Sequence, residues 1–447
     1  MNVYLEFLGC RLNEAEQASW QRQFHSMGHT VVESAADAHV MAVNTCAVTN
    51  EASRKSRKRL RDLHKGNPSA KLVATGCYAT LAKDTIAEQL HVDMVVSNTD
   101  KASMAKQILD TWGDDMPFLA KSAEAQPAFA QTRTRAFVKV QDGCHNRCSF
   151  CIVSTARGAE RSIPIADVVS NIRSLHGDGH QEVVLAGVHL GGYGSDTGEN
   201  LRSLIEAILK DTNVPRIRIG SLEPWDFPEH FMELWDNPRM CPHLHLPLQS
   251  GSNSVLRRMI RRCSIESYER LVSQARTQNP NFNLTSDLIV GFPGETETEF
   301  QETMETVQRI GFGDMHLFSY SDRQGTPASR MSKKLSKVQI RERIQRIKPI
   351  VMEAKNAFLE AQNGRCDSVL WERDAKQVTP SKRLVLDTPA DTPNALSSST
   401  QLRWRGYTSN YLRVHTITDD QTALFNQITP VLVNGIDSNG DLSVKRI

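Results

Sequence analysis

Short apolar runs separated by polar, helix-period stretches dominate the first 112 residues. Residues 2–8, 39–43 and 71–74 read as buried strands, whereas 14–27 and 52–65 repeat apolar positions at three- and four-residue spacing and read as helices. This alternation predicts a small parallel α/β domain over residues 1–112. Residues 113–134, rich in Ala, Gln, Thr and Pro, break the pattern as a linker. A second βα series opens at 136–140 and continues with strands at 182–186, 216–219, 243–246, 283–290 and 314–318. Six parallel βα units predict an incomplete barrel, open on one side, because a closed eight-stranded one takes about 250 residues. Residues 333–363 read as a Lys- and Arg-rich helical connector bent near Pro349. Beyond Gly364, short strands at 368–371, 384–386, 411–414 and 429–433 predict a small β-domain over 365–447. The expected organisation is thus α/β, with units at 1–112, 135–364 (barrel plus connector) and 365–447.

Composition narrows the class. With 447 residues and 39% apolar content the chain can bury ordinary cores, and no stretch approaches the roughly 20 apolar residues of a membrane span. The first thirty residues lack the charged and apolar regions of a secretory signal, so a cytosolic location and no membrane partner are expected. A net charge of +2 leaves nucleic-acid binding to local patches. Nine cysteines in a reducing compartment point to metal ligation or catalysis before disulfides.

Six of those cysteines form two sets. In Gly143-Cys144-His-Asn-Arg-Cys148-Ser-Phe-Cys151 the C-x3-C-x2-C spacing places three thiolates on one loop, enough for three corners of a 4Fe-4S cube with the fourth iron free of protein. An open iron suits a cluster that binds and reduces a small molecule. A zinc knuckle would need a second Cys or His pair, and none accompanies it. The second set is Cys10, Cys46 and Cys77, each just past a predicted strand and so able to converge at the carboxyl edge of one sheet, where α/β folds place ligands. Singly, each could equally be a small buried hydrophobe. Cys241, Cys263 and Cys366 lie outside both sets and read as structural.

The predicted barrel loops carry further polar groups. Gly187-Val-His-Leu-Gly-Gly-Tyr-Gly194 follows the second strand, and its glycines let the backbone approach a ligand, although a plain turn looks the same. Glu223, Gln249 and Asp287 end the third, fourth and fifth strands near the same mouth, either to hold a ligand or to cap the next helix.

Together, Gly9-Cys10-Arg-Leu-Asn13, Asn44-Thr-Cys46, Gly76-Cys77, the Cys144/Cys148/Cys151 triplet and Gly291-Phe-Pro-Gly-Glu-Thr296 resemble the radical S-adenosylmethionine (SAM) methylthiotransferases over nearly the whole chain. The segments 188–194, 222–224, 243–251 and 316–327 look most like the MtaB-type branch, which acts on N6-threonylcarbamoyladenosine beside the tRNA anticodon. His145, Ser154 and Gly220 depart from the usual pattern and none is a cluster ligand. The resemblance implies a radical-SAM barrel and a C-terminal RNA-binding TRAM barrel. It implies one 4Fe-4S cluster on Cys144, Cys148 and Cys151 that binds SAM at its free iron, with Phe150, Gly187, Glu223, Gln249 and Asp287 as candidate SAM contacts. It implies a second 4Fe-4S cluster on Cys10, Cys46 and Cys77, two SAM molecules, an electron donor such as flavodoxin or ferredoxin, and a sulfur donor. A radical is needed because the aromatic C–H at carbon 2 of adenine is beyond side-chain bases at neutral pH.

Seven Lys or Arg against one Asp at 52–65 place Arg54, Arg57, Lys58 and Arg61 on one helix face, denser than solubility requires and suited to phosphates. Near the C-terminus, Arg403, Arg405, Tyr407 and Arg413 interleave cations with aromatics, as in a surface for unpaired bases or equally in one inward face of a barrel. Rival readings are methylthiolation of isopentenyladenosine in tRNA or of a ribosomal-protein aspartate, and a non-catalytic iron-sulfur RNA-binding or redox-sensing protein. The ribosomal branch usually reads Gly-Cys-x-Lys-Asn where this chain has Gly-Cys-Arg-Leu-Asn, and a sensor leaves the glycine-rich loops unexplained.

Overall fold

The structure, a computed structural model, describes residues 1–113, 134–372, 376–377, 401–419, 424–437 and 440–447. The expected linker and the expected strand at 384–386 therefore lie almost wholly outside the described residues.

The N-terminal unit is one parallel sheet of β1 (Asn2–Phe7), β2 (Thr30–Val32), β3 (Val40–Thr45), β4 (Lys71–Thr75) and β5 (Met94–Val95) in the order β2-β1-β3-β4-β5. β3 is buried at every residue, as expected of a central strand covered on both faces. Helix α1 (Arg11–Ser26) follows β1, α2 (Asn50–Gly66) follows β3 and α3 (Gly76–Leu81) follows β4. Thr49 caps α2 through its side chain, which accepts from the Ala52 N–H, and Ser53, Ser56, Leu60 and Leu63 are the helix's buried residues. This strand order reverses direction between β1 and β3, the point at which open α/β sheets hold ligands.

The second unit holds β6 (Arg135–Lys139), a hairpin of β7 (Gln141–Asp142) and β8 (Arg161–Ser162) that the sequence did not signal, β9 (Glu182–Ala186), β10 (Arg216–Ile219), β11 (His243–His245), β12 (Asn283–Val290) and β13 (Asp314–Ser319). β6, β9 and β10 pair in parallel, as do β11, β12 and β13, and single parallel bridges at Ile217–Met240 and Ser221–His245 join the two sets. Six parallel strands in chain order thus make the expected half barrel. Side-chain alternation sorts its two faces: Val138, Leu185, Ile217, Leu244, Leu288 and Met315 pack into the core under the helices, so Lys139, Glu182, Arg218, His245, Asp287 and His316 face the interior. Pro349 lies inside a helix that runs on as Lys337–Glu360 rather than dividing there.

The last unit closes as a five-stranded barrel. β14 (Cys366–Trp371) pairs with β18 (Ile428–Ile436) and with β16 (Gln401–Thr408), and β17 (Arg413–Asp419) and β19 (Leu442–Arg446) complete the ring, with β15 (Lys376–Gln377) added outside β16. The expected strand at 411–414 is in part a turn: Tyr411 has φ of 68° and β17 starts at Arg413. That turn packs against the bottom of the half barrel. Tyr411 stacks on Tyr407 with ring centres 5.0 Å apart and lies 4.9 Å from His243, while Arg218 sits over Tyr411 at 4.6 Å and Arg135 over Tyr407 at 4.2 Å.

Candidate functional site

The carboxyl ends of β1, β3 and β4 bring Cys10, Cys46 and Cys77 together, because these strands are adjacent and parallel. Cys10 is exposed at the start of α1, while Cys46 and Cys77 are buried. Gly9, with φ of 89°, passes so close that a Cβ there would lie 2.5 Å from Cys46 Sγ, so only glycine admits the thiol. Burial pushes the Cys46 thiol up, and the neighbouring Cys10 and Cys77 sulfurs add to it.

The second thiol set lies on the loop between β7 and β8. Cys144 donates its N–H to Gly158 O at 3.2 Å and Cys151 to Cys148 O at 3.0 Å, and the Val153 N–H points at Cys151 Sγ from 3.4 Å. Burial and the neighbouring sulfurs push Cys144 up to about 12 and Cys151 up to about 11. Such thiols shed their protons when iron replaces them. Arg261, buried and stacked over Trp225 at 4.4 Å, pairs with Glu223 at 2.6 Å and reaches 4.0 Å from Cys148 Sγ. Phe150 packs with Met259 and Phe292 and anchors the loop.

Other expected residues take definite places. Gly187 abuts Gln141, whose amide oxygen accepts the N–H groups of Val188 and His189 at 3.0 and 2.9 Å. Gln249 adopts φ of 71°, a left-handed conformation rare for its residue type, and its backbone bonds to Asp287 and Ile289 on β12. Asp287 is bonded to two histidines, His245 at 3.3 Å and His316 at 3.1 Å. Arg54, Arg57, Lys58 and Arg61 are exposed along α2, and Arg413 is exposed on the C-terminal barrel. Arg403 pairs with Asp437 at 2.9 Å, Arg405 is half-buried, and Tyr407 sits in the seam already described, so packing accounts for that ring.

Two groups escaped the sequence reading. His189 lies between Glu160 and Asp226 at 2.6 Å each, beside Cys144, and those carboxylates raise its proton affinity against the opposing effect of burial. Between the thiol sets, Arg157 donates to Glu16 at 3.2 Å, Asp142 at 2.9 Å and Asn13 at 2.7 Å. Its guanidinium also feels the Cys10 and Cys77 sulfurs. The spacing of ion pairs across 140 residues has no sequence periodicity to reveal it.

A half barrel of six parallel strands with a three-cysteine loop after its first strand defines a radical SAM enzyme. The Radical SAM superfamily model matches residues 138–307, and the model described as Uncharacterized protein family UPF0004 matches residues 2–97. The fold is shared with the solved radical S-adenosylmethionine methyltransferase TsrM from Kitasatospora setae (TM-score 0.53, 15% identity, 73% of this chain and 76% of that one). More specific are two proteins named threonylcarbamoyladenosine tRNA methylthiotransferase MtaB: that of Thermotoga maritima is 36% identical over 83% of this chain and 86% of its own length, and that of Bacillus subtilis 33% over 92% and 89%. A tRNA-2-methylthio-N(6)-dimethylallyladenosine synthase of Cereibacter sphaeroides is 32% identical over 83% and 87%.

The chain belongs to the radical SAM tRNA methylthiotransferases. Enzymes of this family use SAM with a 4Fe-4S cluster and carry two such clusters, and tRNA is the substrate. No helix among the described residues is long and apolar enough to cross a membrane.

Proposed function

We propose that this enzyme adds a methylthio group to carbon 2 of N6-threonylcarbamoyladenosine next to the tRNA anticodon. The observation that carries the choice of nucleoside is that four relatives bearing the threonylcarbamoyladenosine name reach 33–36% identity, against 30–32% for those named for dimethylallyladenosine.

The thiol sets fit the two clusters. Each offers three sulfurs without disulfide partners, and glycine clears the space beside Cys46. Cys144, Cys148 and Cys151 would hold the SAM-binding cluster, and Cys10, Cys46 and Cys77 the second. When bound, the first with SAM supplies the radical that removes the carbon 2 hydrogen, and the second, with another SAM, supplies the methylated sulfur. The protein orients these groups and excludes water. Arg261 fixes the cysteine loop, and Gly187, Glu223 and Gln249 line the mouth where SAM would lie, with Phe150 supporting the loop from below. Arg54, Arg57, Lys58, Arg61, Arg405 and Arg413 would meet the anticodon stem-loop, with Arg403 and Tyr407 supporting that surface from within. An electron donor such as flavodoxin or ferredoxin and a sulfur donor complete the reaction. The working units are 1–112, 135–364 and 365–447.

Mass spectrometry of tRNA nucleosides from a deletion strain tests this directly. Loss of 2-methylthio-threonylcarbamoyladenosine is expected; loss of the 2-methylthio isopentenyl nucleoside instead would select the rival substrate.

A further inference from the structure

The barrel interior holds many charges, and most of its cations are matched. Arg218 pairs with Glu182 at 2.8 Å, Arg216 donates to Ser368 O and Tyr407 O, Arg135 pairs with Glu372 at 2.8 Å, and Lys139 pairs with Glu16 and Asp142 at 2.9 and 2.6 Å. Higher in the same interior, on three neighbouring strands, stand His245, Asp287 and His316. Asp287 accepts from both rings, with His245 Nε2 at 3.3 Å and His316 Nδ1 at 3.1 Å. The other nitrogen of His245 faces Thr285 Oγ1 at 3.0 Å. His316 is different: its Nε2 has no partner among the described residues, and its side chain is 64% exposed. Two positions along, on the same face, Phe318 is 44% exposed, with ring centres 6.3 Å apart.

An exposed phenyl ring facing a barrel interior is poorly explained by packing and well explained by a flat base. Beside it, an imidazole whose Nδ1–H donates to a carboxylate presents Nε2 outward, a lone pair when the ring is neutral and a charged N–H donor when the ring is protonated. The Asp287 hydrogen bond raises the proton affinity of His316, and Asp314 adds to this while Lys355 opposes it.

The same three groups could be read as a two-histidine, one-carboxylate cation site. Both Asp287 oxygens already serve imidazole nitrogens, however, and the set is complete as it stands. What remains open is His316 Nε2, directed outward, and on the protonated ring that Asp287 favours it is a charged donor suited to an anion. Threonylcarbamoyl is a substituent with a carboxylate; dimethylallyl has no polar atom.

We propose that His316, oriented by Asp287 and flanked by Phe318, is the subsite for the anionic substituent on the substrate adenine, here the threonyl carboxylate. The proposal rests on the threonylcarbamoyladenosine reading and adds the residue that selects it. His316 is a specificity residue, since it touches the substituent and not the reacting carbon.

The test is the binding of synthetic anticodon stem-loops to the full chain by fluorescence anisotropy. Three ligands are compared: one with threonylcarbamoyladenosine, one with unmodified adenosine, and one whose threonyl carboxylate is a methyl ester. The native protein should prefer the carboxylate ligand over the unmodified one by roughly tenfold, the size of one charge-assisted hydrogen bond. Esterification should remove most of that preference without any change to the protein. His316→Gln should do the same while binding unmodified stem-loop like the native chain. The native preference should also fade as pH rises through the titration of His316, whose charged and titratable neighbours are Asp287, His245, Asp314 and Lys355. If the native protein shows no preference for the carboxylate ligand, the nucleoside assignment itself falls. If it does, but His316→Gln and the ester keep the full ratio, the assignment stands and the subsite is overturned.

Discussion

Replacing Glu16 by Gln tests the charged seam that joins the N-terminal sheet to the half barrel. The Glu16 carboxylate lies 2.7 Å from Lys101 Nζ, 2.9 Å from Lys139 Nζ, 3.2 Å from Arg157 Nη1 and 2.9 Å from Asn44 Nδ2. Burial alone would raise its pKa, but Lys101, Lys139 and Arg157 outweigh it and lower the group from 4.5 to about 2. At about 1.4 kcal/mol per pH unit this amounts to about 3 kcal/mol of stability. Burial works the other way on Lys101, lowering it from 10.5 to about 8. The two values describe one network, and the direction that stands is that Glu16 is held ionised, since three cations and an amide surround it. Without it, Asp142 alone faces the buried Lys101 and Arg157 and the half-buried Lys139, and breaking a buried network of this kind costs about 3–5 kcal/mol. A loss of that order corresponds to roughly 6–20 °C in the melting temperature of a unit of 150–250 residues. The assay is thermal unfolding of both chains by circular dichroism at several pH values. A group with a depressed folded pKa stabilises above its unfolded pKa and loses that contribution as pH falls, so the gap between native and variant should be full at pH 7 and shrink between pH 4.5 and 2. A Glu16→Gln chain that melts within about 2 °C of the native one at pH 7 would refute the account.

Anaerobically reconstituted enzyme should hold about eight irons, and the combined change of Cys10, Cys46 and Cys77 to Ala should halve that number while SAM is still cleaved to 5′-deoxyadenosine; iron analysis and chromatography measure both. Gly9→Ala should also lower iron at the N-terminal site alone, because its Cβ would fall 2.5 Å from Cys46 Sγ and its φ of 89° disfavours a side chain; retention of all the iron would count against a cluster there. Arg57→Ala with Arg61→Ala should weaken tRNA binding and flatten its dependence on salt, as loss of phosphate contacts demands, and an unchanged salt slope would move recognition away from α2.

Much was legible in the chain itself because it rests on local chemistry. Apolar runs ending in cysteine marked the strand edges, and the C-x3-C-x2-C loop needs no tertiary context to bring its thiols together. The α/β alternation predicted six barrel strands in the right order, and the charge run on α2 fell on the face that became exposed. Cys10, Cys46 and Cys77 were suggestive only as strand ends; sheet order made β1, β3 and β4 neighbours and so made them a set.

What tertiary structure alone decided are the pairings between distant segments. The stretch from Arg403 to Arg413 had two readings, and only the docking of the Tyr411 turn under the half barrel set Tyr407 in a seam between units. The sequence left Glu223 and Asp287 as either ligand contacts or helix caps, and only the fold pairs Glu223 with Arg261 and Asp287 with two histidines on adjoining strands. Arg157, Glu16, Asp142 and Lys101 carry no motif at all. Their meaning comes from burial, since charges withdrawn from water must find partners wherever the chain brings them, and that constraint acts across space with no period along the sequence.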